Sequence, residues 1–438
     1  MAIVEAPPRT APPLPSPGGR DTTIDFLRAI CVTGVVLLHA IMVGVTVVDG
    51  SPVFSNASEG TGWIVPISWV LQVMPLFFII GGFAGYTSFR RTQERGDTAA
   101  GFLAARVHRL LRPALFAIGI VGAALAALSV AGMPAEIIAV AGFRYSQPLW
   151  FLAVFLGSQA ILPALAGAHA RKPLITVAAL VAASLGVDAL RAITGLEGLG
   201  FLNLAFVWLA LQQIGFFLAD GTIDGLRRRT RAIAGAVALI TLISGFTTGV
   251  YSPDLVANIN PPTTALLLVG VVHLSAVSLL RDRIGVLSRR PVPAAFSAFV
   301  NRRTMTIYLW HMPALLAMAG ICALASLAGG ITLPEPSTLE WWVSRPPWLA
   351  TALTLTAVIA VSLTRIETLP SPPAADSARR VQSAAVLGVA SVVLLLVAGT
   401  TVLTAALAVG AMLLSLRLAR RSHQSPRGES VTDLVRVA

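Results

Sequence analysis

The run Ala29-Ile30-Cys31-Val32-Thr33-Gly34-Val35-Val36-Leu37-Leu38-His39-Ala40-Ile41-Met42-Val43-Gly44-Val45-Thr46-Val47-Val48 decides the fold class. It is 20 residues without a formal charge, and a helix crossing a bilayer needs about 20 mostly apolar residues. Nine more runs of this kind follow: Trp63–Tyr86, Leu110–Gly132, Pro148–Ala166, Leu174–Ala189, Leu199–Ala219, Ala232–Val250, Thr263–Leu280, Thr304–Ala328 and Trp348–Thr364. The pattern predicts an all-α, polytopic transmembrane helix bundle with ten core spans. A last apolar stretch, 384–416, is ~50 Å long as one helix against a ~30 Å hydrocarbon core. It is either one strongly tilted span or a hairpin turning near Gly399-Thr400-Thr401.

Composition agrees with the spans. Of 438 residues, 55% are hydrophobic and only 12% charged, outside the range of soluble globular chains. The net charge of +12 is not a nucleic-acid patch, because the bases lie between apolar runs without interleaved aromatics. Their placement sets orientation. With the N-terminus cytoplasmic and 384–416 a hairpin, 29 of 32 Lys and Arg fall inside. Only Arg144, Arg191 and Arg345 fall outside. The first run, too long for a signal core and without a small-residue cleavage site, reads as a retained signal anchor. Five segments follow: a disordered cytoplasmic tail 1–22, a ten-helix membrane domain 23–366, a cytoplasmic linker 367–383, the extra apolar segment 384–416 and a basic cytoplasmic tail 417–438. Cys31 and Cys322 both sit in apolar runs, which excludes a disulfide framework and a metal-ligand cluster.

Ionisable groups within spans are costly and mark candidate functional positions. Arg28 and His39 are eleven steps apart. At ~100° and ~1.5 Å per step they share a helix face about 16 Å apart along the axis. That places Arg28 at the cytoplasmic interface and His39 near mid-membrane. Arginine at a rim suits bidentate phosphate binding, and a neutral buried histidine suits proton abstraction. An interfacial anchor plus a histidine bonded to a neighbouring helix gives the same pattern. Arg106, Arg109 and Arg112 follow each other at spacing three before Pro113. They form a stripe that fits either a polyanion pocket or anchoring at anionic headgroups. Gly81-Gly82 allows close backbone approach to a helix or to a ligand. Tyr308 and His311 share a face three residues apart, and His273 is a third histidine within a span. Asp25, Trp150 and Asn203 complete the polar and aromatic candidates. No Gly-x-Ser-x-Gly elbow, phosphate-binding Gly-Lys-Ser/Thr loop or His-Glu-x-x-His helix occurs, so hydrolase and nucleotide-loop chemistry of those types has no support.

Five pieces occur in one order: Asp25-Phe26-Leu27-Arg28 with His39, Pro75-Leu76-Phe77-Phe78 with Gly82-Phe83, Arg106 to Pro113, Pro148-Leu149-Trp150-Phe151-Leu152, and Thr306-Ile307-Tyr308-Leu309-Trp310-His311. In this set the chain resembles the acyltransferase-3 family of integral membrane acyltransferases over about residues 20–366. The resemblance implies a bacterial inner-membrane enzyme. It would move an acyl group, often acetyl, from cytoplasmic acyl-coenzyme A to a hydroxyl on an extracytoplasmic or lipid-linked carbohydrate. It implies no permanently bound cofactor and no metal; acyl-coenzyme A is a co-substrate, and membrane lipids and the acceptor are the partners. His39 would be the catalytic residue, as base or transient acyl carrier. Arg28 would orient the donor, with Arg106, Arg109 and Arg112 on its phosphates. Asp25, Trp150, Tyr308, His311 and His273 would line the tunnel or bind substrate. One departure stands out: where the family commonly has Ser-Gly-Phe, this chain has Gly81-Gly82-Phe83. The alternative reading is a transporter or flippase of a glycan-lipid or small anion, which predicts broken helices in two related halves.

Overall fold

The computed structural model describes residues 21–375 and 377–421. The expected disordered tail, up to residue 20, and residues 422–438 of the expected basic tail lie outside that range.

The chain enters with α1 (Thr22–Met42). The Asp21 carboxylate caps it by accepting from Thr23 N at 3.0 Å and Ile24 N at 3.2 Å, satisfying two amides that have no partner within the helix. The helix stops six residues before the end of the predicted span. Val43–Val48 instead forms β1, which pairs antiparallel with β2 (Ser51–Asn56) from Val43↔Asn56 to Val48↔Ser51. The cause is local. Five of these six residues are β-branched, and Asp49-Gly50 adopts positive φ at both positions (50° and 73°), the backbone a two-residue hairpin turn requires.

The second predicted span is interrupted. It forms α2 (Ile64–Leu71) and α3 (Met74–Glu94), separated at Gln72-Val73. Next come α4 (Ala99–Val130), α5 (Ala135–Ser146) and α6 (Trp150–Arg171), with a 3-10 turn at Gln147–Leu149 between the last two. Then follow α7 (Pro173–Thr194), α8 (Asn203–Ala219), the short α9 (Thr222–Gly225), α10 (Arg228–Thr247) and α11 (Ala265–Ser288). The amphipathic α12 (Pro291–Arg302) leads into α13 (Thr304–Gly329) and α14 (Leu339–Ser362), and α15 (Thr364–Thr368) ends the core. The last apolar stretch is a hairpin, α16 (Ala378–Ala398) and α17 (Val402–Ala419). Gly399 takes φ 71° at its turn. Thr401 and Thr404 cap the second helix reciprocally.

Among the described residues, eleven helical segments are long and apolar enough to cross a membrane, counting Ile64–Glu94, Ala135–Arg171 and Glu197–Ala219 as single passages. The protein is a multi-pass membrane protein. The tenth predicted span forms α14, but α14 is not among the eleven. Its first turns carry Glu340, Arg345, Pro346 and Pro347, which dilute its apolar content. Large apolar side chains face outward along the other helices: Val130 is 90% exposed, Ile193 84% and Val397 83%. Such a surface is stable only against lipid.

In lipid, apolar burial adds little between helices, so close approach does the work. Helices α3 and α8 show this. A Cβ on Gly82 would lie 2.1 Å from Gln212 O, and one on Gly215 would lie 2.1 Å from Ile79 O. Beside this seam Phe78 stacks on Trp208, centroids 4.4 Å apart. The C-terminal hairpin packs on α4 and α6. There Gly388 admits Leu111, and the Ser415 hydroxyl donates to Ala384 O at 2.6 Å.

Candidate active site

One cavity of ≈ 200 Å³ runs through the bundle between α1, α3, α4, α6 and α13. At one end it is lined by Arg28, Arg106 and Arg109. His39, Tyr308 and Trp150 line its middle, and Val256 and Ile259 its far end. A wider cleft of ≈ 690 Å³ adjoins the arginine end and shares Arg106 and Arg109 with it. That cleft adds Arg95, His108 and Arg112.

Each end is built by identifiable bonds. Arg28 donates from Nε to Asn301 Oδ1 at 2.7 Å and pairs with the Asp25 carboxylate one turn earlier. Asn301 in turn donates to Asp25 O at 2.7 Å, so α1 and α12 hold the guanidinium together. Arg106 lies over the Phe102 ring, 4.8 Å from its centroid. Glu367 caps α13, accepting from Met305 N at 3.0 Å and from Thr306 N at 2.9 Å. At the far end, the loop between α10 and α11 folds inward against α2. Gln72 Nε2 donates to Leu255 O at 2.8 Å, and Leu255 N donates to Ser68 Oγ at 3.0 Å. Asp188 anchors the same loop, accepting from Thr264 N at 2.8 Å, Tyr251 OH at 3.2 Å and Asn203 Nδ2 at 2.8 Å. Burial, then the Asp188 charge, pushes the Tyr251 phenol up to about 12, so it remains a donor.

His39 sits between the two ends. Its Nδ1 lies 2.8 Å from Val35 O. A carbonyl only accepts, so Nδ1 carries the proton and Nε2 keeps its lone pair. His311 stands behind it, ring centroids 4.9 Å apart. It is fully buried, its Nδ1 donates to Tyr308 O at 2.5 Å, and its Nε2 is buried without a partner among the described residues. Tyr308 OH donates to Pro148 O at 2.8 Å, fixing the break between α5 and α6 beside the histidines. Both helix interruptions, at 72–73 and at 147–149, adjoin this one cavity. Irregular backbone at membrane depth is tolerated where protein or a cavity surrounds it.

A profile of the acyltransferase-3 family, described as an acyltransferase domain, matches residues 21–365. The chain belongs to the acyltransferase-3 family. It is therefore a membrane O-acyltransferase, transferring acyl groups other than aminoacyl groups. The match stops short of the C-terminal hairpin. No curated protein and no solved structure matches the chain.

The structure brings Arg28, His39, Arg106, Arg109, Trp150 and Tyr308 onto one cavity. It places other candidates differently. Arg112, a third of a turn round from Arg106, faces the wider cleft and donates to Leu369 O at 3.0 Å and Pro370 O at 3.3 Å. Asp25 serves Arg28 rather than lining the cavity. His311 reaches the cavity only through His39, and His273 on α11 is not on its lining. Asn203 ties α8 to Asp188 on α7. Of the paired glycines, Gly82 is at the α3–α8 seam and Gly81 faces the cavity. The sequence reading missed Gln72, Gln159 and Glu367. Gln72 and Gln159 each carried the same signal, a polar side chain inside an apolar run.

Proposed function

We propose that this acyltransferase carries an acyl group, acetyl in the simplest case, from cytoplasmic acyl-coenzyme A to a hydroxyl on an extracytoplasmic or lipid-linked carbohydrate. The protein lies in the bacterial inner membrane with its N-terminus and arginine end in the cytoplasm. The observation that supports this reading is the single cavity that joins Arg28, Arg106 and Arg109 to His39. Phosphates of the donor rest among the arginines, where charge-assisted hydrogen bonds form. Its thioester reaches His39, ~16 Å deeper by helix rise.

His39 Nε2 takes the proton of the acceptor hydroxyl as the oxygen attacks the thioester carbonyl. The C–O bond forms, the C–S bond breaks, and the proton passes to the departing thiolate. Asp25 and Asn301 position Arg28, and Tyr308 positions the helix break that carries Trp150.

The test is transfer of label from radiolabelled acyl-coenzyme A to membrane glycans in cells or membranes containing the protein. His39→Ala is expected to lower transfer about 10³-fold while the protein remains folded. Full transfer by a folded His39→Ala variant contradicts the mechanism.

A further inference from the structure

Between the arginines and His39 the cavity wall changes character. On α3 it is made of Gly81, Ala84 and Gly85. On α6, opposite, it is made of Phe155 and Gln159. A Cβ on Gly81 would lie 3.1 Å from the Phe155 ring, and one on Gly85 would lie 2.5 Å from the Leu162 side chain and 3.5 and 3.6 Å from the two Gln159 amide atoms. Gln159 is nine residues from Trp150 along α6, about 13 Å toward the arginine end by helix rise.

Gln159 is 1% exposed, and its Nε2 is buried without a partner among the described residues. Two nearby glutamines are satisfied, Gln212 Nε2 donating to Ser158 O at 3.3 Å and Gln72 Nε2 to Leu255 O at 2.8 Å, whereas His311 Nε2 and Trp208 Nε1 share the condition of Gln159. A buried amide N–H without an acceptor costs about 1–3 kcal/mol, and folded proteins keep few of them. Gln159, which carries this donor, lines the channel through which, on the reading above, the donor's arm passes. That arm is a linear chain bearing amides between its pyrophosphate and its thioester. Entering an apolar channel, its amide carbonyls lose water and need new donors.

We propose that Gln159 binds the arm of the thioester donor, donating from Nε2 to an amide carbonyl, where the cavity passes Gly81, Ala84 and Gly85. This rests on the acyl-coenzyme A reading. It assigns Gln159 to donor binding and the His39 level to chemistry.

The experiment compares the purified full chain with Gln159→Leu and Gln159→Glu, using acyl-coenzyme A, the matching acyl-pantetheine and an acyl thioester of a simple alkanethiol without amides. Gln159→Leu breaks no bond within the protein, so its melting temperature and monodispersity are expected to match wild type. Its kcat/KM is expected to fall about 10-fold, mostly through KM, for the two amide-bearing donors. It is expected to be unchanged for the amide-free thioester. Gln159→Glu, which removes the donor group but keeps the length, is expected to show the same selectivity. Equal activity of variant and wild type on all donors overturns the proposal, as does an equal loss on all three. Failure of the wild-type protein to use acyl-coenzyme A at all is a different result and overturns the donor reading itself.

Discussion

Helix α3 meets its two neighbours in opposite ways. Toward α8, Gly82 and Gly215 bring two backbones into contact, and nothing fits between them. Toward α6, Gly81 and Gly85 face Phe155, Leu162 and Gln159, and the cavity passes along that side. Adjacent glycines on one helix therefore have different consequences. One closes a seam in a bundle that cannot rely on apolar burial for cohesion. The other withholds a side chain from a passage. Composition alone cannot separate these uses; what lies opposite each Cα separates them.

The sharpest way to break this comparison is Gly82→Val. The new side chain meets backbone that cannot move aside, so α3 and α8 must part. The expected cost is about 3 kcal/mol or more, read as lost monodisperse yield and a lower melting temperature in detergent. Near-normal melting would mean that the seam is not rigid. Second in size is Arg106→Ala. Removing charge-assisted bonds to the donor should raise its KM about 10- to 100-fold, with kcat changed little and the fold intact. An unchanged KM would make the arginine stripe an anchor only. Third is Gly81→Ser, which restores the residue usual in the family. Its Cβ needs the Phe155 ring to shift by a few tenths of an ångström. Melting is expected to be unchanged and kcat/KM to move by less than about 10-fold, corresponding to less than about 1.4 kcal/mol. Loss of fold here would show that the α6 side is packed as tightly as the α8 side. The smallest effect belongs to Tyr251→Phe. It removes one hydrogen bond to Asp188, expected to cost about 1 kcal/mol and to speed proteolysis of the loop between α10 and α11.

Much of the fold was legible because crossing a bilayer demands long apolar runs, and those runs are plain in the sequence. What the runs concealed were their interruptions. Asp49-Gly50 is a strong hairpin signal, yet the apolar residues before it carried the predicted span through Val48, where the structure has β1. The break at Gln72-Val73 lies inside a run that hydropathy alone reads as continuous. At the site, Arg28 and His39 share a face because helix geometry is regular, and both line the same cavity. The same geometry explains Arg112. Two steps of three residues turn it about 120° from Arg106, into the neighbouring cleft. His273 could not be placed from sequence, since its phase within α11 says nothing about which neighbour it faces. Gln159 stood out only as a polar side chain inside an apolar run. What distinguishes it is an absent partner, and only three-dimensional neighbours reveal that.

The account rests on a donor that enters at the arginine end. Sealed vesicles of known sidedness test it most directly. Labelled acyl-coenzyme A is added outside inverted vesicles and outside right-side-out vesicles, and acyl transfer to the glycan acceptor is measured in each. The account expects His39-dependent transfer with inverted vesicles, whose outer surface is the cytoplasmic face, and none with intact right-side-out vesicles until they are permeabilised. Equal transfer in both, or transfer only in the right-side-out vesicles, would contradict it.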